Sequence, residues 1–156
     1  MTLIEFVADR VRDAYWNEDI HCVPTVLRIL GELFGLDVHE QVYASCWGLN
    51  GAGNYGAQCG LVEGTLMFIS LIAGREGIDT VETWQACSDF ASDYEKRFGS
   101  LRCCELRPEG FNDDDPPHLC EVLTVESVVF SARFINTWFG IEMELPGLKS
   151  TRRSYR

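Results

Sequence analysis

The sequence predicts an all-α protein, a compact bundle of five to six short helices with a glycine-rich loop. Three observations carry this: apolar residues recur at helical spacing, capping residues stand at the starts of those segments, and no stretch alternates as a strand would. Leu3, Ile4, Val7, Val11, Ala14 and Tyr15 follow the helical period behind a Thr2–Glu5 capping-box pair, so a first helix runs to about Trp16. Pro24 suits the start of a second helix whose Val26, Leu27, Leu30, Leu33 and Phe34 face inward until Gly35, which places Cys22 just ahead of it. Val38 to Trp47 makes a third, shorter helix, and the five glycines between Gly48 and Gly60 make a loop. Leu61 to Ala73 reads as a buried central helix stopped by Gly74 and Gly77. Asp79 or Thr80, with Glu82, caps a fifth helix that ends at Gly99. An exposed acidic loop follows from Arg107 to Pro117, Thr124 caps a sixth helix through Trp138, and Glu142 to Leu145 is the one candidate strand.

Length and composition bound the function. At 156 residues, 46% hydrophobic and 12% aromatic, the chain has the apolar content for one core, expected over residues 1–145, with a basic tail over 146–156. Its formal charge of −11 repels phosphate backbones, and the tail, with Lys149, Arg152, Arg153 and Arg156, is the one basic cluster, so nucleic-acid binding is not expected. Leu61 to Ala73 is too short to span a bilayer, which takes about 20 apolar residues. No signal-like segment opens the chain, so the expected setting is the cytoplasm. There, seven cysteines, an odd number, suit metal, cluster or thiol chemistry more than structural bridges.

Gly51, Gly53 and Gly56 spell G-x-G-x-x-G, but no strand precedes them and no βαβ unit surrounds them, so the glycines are read as turn formers or as donors of close backbone N–H groups rather than as a dinucleotide site. The cysteines are more informative. Cys22, Cys59 and Cys120 each precede a helix start, where unsatisfied N–H groups and the helix dipole favour a thiolate, and Cys103 lies just past Gly99. One site built from all four is geometrically open to a bundle, and so is the plain alternative of four small buried hydrophobes. Their intervals of 37, 44 and 17 residues contain no C-x-x-C, which excludes a zinc ribbon and a thioredoxin-type motif.

Cys22 ahead of Val26-Leu27-Arg28-Ile29-Leu30, then Cys59-Gly60-x-x-x-Gly64, then Phe98-Gly99-Ser100-x-x-Cys103-x-Glu105-Leu106, then Cys120, form an ordered pattern over about residues 20 to 135. In this the chain resembles the putative redox-active proteins named for a C_GCAxxG_C_C pattern. The resemblance implies a small helical protein with a redox role, puts the four pattern cysteines at Cys22, Cys59, Cys103 and Cys120, and makes Gly60 and Gly64 candidate cofactor-binding positions. Leu61 departs from the pattern, which has Ala there, and Cys46, Cys87 and Cys104 fall outside it.

The function expected is therefore a redox protein whose four cysteines are metal ligands of an iron–sulfur cluster or a catalytic thiol/disulfide centre, with a redox partner of unread identity. The competing class is a non-catalytic binding protein whose cysteines hold zinc or a soft metal. Cys59 is expected to be the most sensitive thiol, since it joins a helix start to the glycine loop. Cys104 is a candidate resolving thiol. Glu63, four residues after Cys59, faces either the same site or solvent, and His21 and His118 are candidate ligands or proton donors beside Cys22 and Cys120.

Overall fold

The structure, a computed structural model, describes residues 1–107, 110–112 and 114–146. All-α is the observed class, and the described residues hold no strand. Helix α1 (Leu3–Arg12) opens on the Thr2–Glu5 capping box and widens into a π-helical turn, Asp13–Asn17. This wider turn buries Tyr15, while Trp16 stays outside and donates its indole N–H to Glu121 at 2.8 Å. Helix α2 (Cys22–Phe34) begins two residues earlier than Pro24 suggests: His21 is its cap, Cys22 is its first residue, and Pro24 sits in the first turn, where a missing N–H costs little. Gly35, at φ +59°, ends it.

Helix α3 (Glu40–Ser45) is shorter than Val38 to Trp47. The glycine loop contains a one-turn element, α4 (Gly51–Asn54), in which all four residues have positive φ. Helix α5 (Gly60–Arg75) is central, and Asp79 caps α6 (Thr80–Phe98) through a 2.9 Å bond from the Glu82 N–H. A one-turn helix, α7 (Cys103–Leu106), has no counterpart in the periodicity, being too short to show one. Thr124 does not cap the last helix. The 3₁₀ turn Pro117–Cys120 feeds directly into α8 (Glu121–Phe139), with Cys120 as cap, so Thr124 lies inside the helix and buried. Glu142 to Leu145 is not a strand; the Glu144 N–H instead bonds Leu33 O at 2.7 Å, tying the C-terminal segment to the end of α2. Of the expected basic tail, residues 147–156 lie outside the described residues.

Packing between α2 and α5 is the most extensive in the molecule. It depends on Gly60 and Gly64. A Cβ at Gly60 would collide with the Cys22 sulfur, and one at Gly64 would lie 3.0 Å from Val26 Cβ and 3.2 Å from Val23 O. On the other side, Phe90, Tyr94 and Phe98 of α6 pack with Phe130 and Phe134 of α8. Helix α8 turns a row of buried hydroxyls inward, each matched by a hydroxyl of a different element: Thr124 with Tyr15 at 2.7 Å, Ser127 with Tyr94 at 2.7 Å, Ser131 with Thr65 at 2.9 Å. The spacing of three and four residues keeps them on one face. Ser127→Ala strands the Tyr94 hydroxyl and should destabilise by about 1–3 kcal/mol, whereas adding Tyr94→Phe should recover much of that loss. Urea denaturation of the two singles and the double checks it.

Candidate cysteine site

All four pattern cysteines line one cavity of about 90 Å³. Each enters it from the start of a different helix. Cys22 is the first residue of α2, Cys59 caps α5, Cys103 is the first residue of α7, and Cys120 caps α8. Local chemistry explains the convergence. The Gln58–Arg102 antiparallel bridge, closed by Cys59 N to Leu101 O at 2.8 Å and Cys103 N to Ala57 O at 2.7 Å, carries Cys59 and Cys103 one residue past the paired positions. Both therefore project on the face opposite the bridged side chains. Ser100 fixes the start of α7, accepting from the Arg102 N–H and bonding the Glu105 carboxylate. Gly51, at φ +65°, backs onto Cys103, whose Cβ and sulfur would lie 3.0 and 3.3 Å from a Cβ there. Cys22 lies against Gly60, so the glycine of the motif is a seat for a sulfur.

Burial sets the electrostatics. It pushes the Cys59 thiol up to about 12, although the Leu61 and Val62 N–H groups at the start of α5 pull it back. The thiolate expected from the helix dipole does not form there at neutral pH: desolvation outweighs the dipole. Burial drives the Cys22 thiol well above its ordinary value, and the neighbouring Cys59, were it ionised, would oppose a second charge beside it. Cys120 is also raised by burial, but the Arg107 guanidinium opposes the shift. Arg107 also hydrogen-bonds Cys103, lies 3.7 Å from Asp115, donates to Asn112 O at 3.3 Å and stacks over Phe111. Its side chain is only 10% exposed, so the start of the expected acidic loop folds into the site.

Tyr15, Asn50, Asn54, Arg107 and Asp115 join the cavity without having been singled out by the sequence. Arg107 had one usable signal, its position one helical turn after Cys103. His21 lines the cavity, but His118 stacks on Trp16 at 4.1 Å and is not among the lining residues. Gly60 lines it, whereas Gly64 packs on Val23 and Val26. Glu63 does not line it; its carboxyl is raised by burial and bonded to Gln58. Cys46 donates to Tyr43 O, Cys104 lies against Gly56, and Cys87 packs at the core boundary, all outside the cavity. Among the described residues, no three His, Cys, Asp or Glu stand where they would hold a metal ion, and all seven cysteines are free thiols. Four thiols around one cavity are, by chemistry, the donor set of a cluster as well as of a dithiol centre.

Among the described residues no helix is long and apolar enough to cross a membrane. No curated protein and no solved structure matches the chain. A family model does match, over residues 20–134, and its description is putative redox-active protein (C_GCAxxG_C_C). With all four pattern cysteines facing one cavity and the match spanning most of its length, the chain belongs to that redox-active family.

Proposed function

We propose that this chain is a thiol redox protein that gives up two electrons by closing a disulfide within its four-cysteine cavity. The observation that carries the reading is the meeting of Cys22, Cys59, Cys103 and Cys120 in one cavity, with a cation, Arg107, beside two of them. Cys120 is the attacking thiol: Arg107 opposes part of the upward shift that burial imposes on it, and the start of α8 adds the positive end of a helix dipole. Its thiolate attacks an electrophilic acceptor, a second pocket thiol displaces the adduct, and the acceptor leaves two electrons richer. Cys103, which also touches Arg107, is that second thiol. A cytoplasmic setting suits the reading, because a reducing thiol pool regenerates the pair.

Limited alkylation of the native, reduced chain near pH 8, followed by mass spectrometry, should label Cys120 well before Cys59. Mild oxidation should remove two thiols, with the cross-link inside the pocket set, and Cys120→Ser should abolish it while Cys87→Ser leaves it intact. Anaerobic purification that yields visible absorption with stoichiometric iron, or oxidation that falls equally on Cys46 and Cys87, would overturn the reading.

A further inference from the structure

Among the described residues three buried side-chain polar atoms have no hydrogen-bond partner, and all three belong to residues lining the cysteine cavity: Arg107 Nε, His21 Nε2 and Asn50 Oδ1. Unmatched buried polar groups cost stability, so their clustering at one place identifies what the cavity is built to hold. The first is a cation's donor on a side chain nine-tenths buried. His21 Nδ1 accepts the Val23 N–H at 3.4 Å, and burial keeps the ring neutral, so its proton sits on Nε2, a second donor. Asn50 donates its amide to Asn54 Oδ1 at 3.1 Å, which leaves Oδ1 as an acceptor. Three long helices, α2, α5 and α8, bring their N-termini to the same cavity, and burial favours the uncharged thiol at Cys22 and Cys59, so these two add no charge to repel an anion. Asp115 at 3.7 Å balances part of the Arg107 charge, which limits a guest to a single negative charge.

We propose that the cavity binds a small monoprotonated oxoanion, which serves as the oxidant of its thiols: two oxygens accept from Arg107 Nε–H and His21 Nε2–H, and the anion's own O–H donates to Asn50 Oδ1. This rests on the thiol redox reading and names its substrate class. The size agrees: about 90 Å³ admits a group of a few heavy atoms, one water needing about 10–15 Å³. The step balances as HXO₃⁻ plus two Cys–SH giving HXO₂⁻, a disulfide and water. One X–O bond breaks, its oxygen leaves with both thiol protons, and the electron pair released by forming the S–S bond reduces X.

Two probes separate binding from reduction in the full, reduced chain. Inorganic phosphate, which thiols do not reduce and which in mildly acidic buffer is the singly charged H₂PO₄⁻, should bind saturably by calorimetry there and slow alkylation of the pocket thiols. Arg107→Gln should weaken that binding roughly tenfold or more, as expected for loss of a charged hydrogen bond. His21→Asn keeps a capping side chain while withdrawing the ring donor, and it should weaken binding in the same direction, which guards against a folding defect in Arg107→Gln. Selenite, a reducible oxoanion, should consume pocket thiols in pairs, more slowly in both variants. Phosphate binding that neither variant alters would be adventitious and would overturn the proposal, as would thiols untouched by selenite. If phosphate and selenite both fail while diamide still closes the pocket disulfide, the substrate class is wrong and the redox reading stands. Failure of diamide as well removes the redox reading itself.

Discussion

Gly60→Ala should cost about 1–3 kcal/mol of stability, the usual penalty of overpacking, and should disable the thiol site at the same stroke. A Cβ at this position meets the Cys22 sulfur and lies 2.9 Å from Val23 Cγ2, both within the first turn of α2. Neither neighbour can step aside: both are in the first turn of a helix whose inner face is packed, and Val23 is fully buried. Relief therefore means sliding α2 along α5, which moves Cys22 away from the other three cysteines. The measurements are a denaturation midpoint and the yield of pocket disulfide after mild oxidation; both should fall. Gly53→Ala, where no atom lies within 4 Å of the added carbon, strains only the backbone through its positive φ and should leave the disulfide yield near that of the parent.

Raising the pH should unfold the protein through its own cysteines. A group whose acid constant is raised by folding stabilises the fold fully below its unfolded value and loses that contribution as pH climbs through the folded one. For Cys59 the window runs from the ordinary 9.0 to about 12, and the loss across it is about 4 kcal/mol, a large share of the roughly 5–15 kcal/mol that holds a domain together. Cys22 and Tyr94, also raised by burial, add in the same direction. Denaturant melts at pH 8 and pH 11 should show a steep decline, and Cys59→Ala should flatten it. An equally steep decline in that variant would refute burial of the thiol as the cause.

Sequence reasoning reads the long helices well, because α1 and α6 carry both a period and a capping pair, α2 a period with a proline near its start, and α5 an apolar run stopped by glycines. It reads the four cysteines as a set because their order matches a family pattern and three of them stand near helix starts. It misses features that depend on contacts between distant residues. Whether Cys59 ionises is decided by how much water the assembled bundle removes, which no local spacing encodes. Arg107 looks like the first residue of a charged loop until the chain closes it against Phe111 and Cys103. Thr124 reads as a cap because threonine before an apolar run usually is one; here the run continues upstream through Cys120, and the hydroxyl serves Tyr15 instead.

The four walls of the cavity come from helix starts spread over nearly a hundred residues, from Cys22 to Cys120. No two neighbouring helices suffice to make the site, so it is completed only when α8 docks, and closing so long a span of chain carries the larger loop-entropy cost. Until then all four thiols are solvent-accessible, have ordinary acidity and are free to pair in any of three ways, with Cys46, Cys87 and Cys104 as further wrong choices. Protection of these sulfurs is thus a property the chain gains on completing its fold. An unfolded chain exposed to oxidant before that point is expected to close wrong loops, so the yield of refolded protein should be higher with reductant than without it.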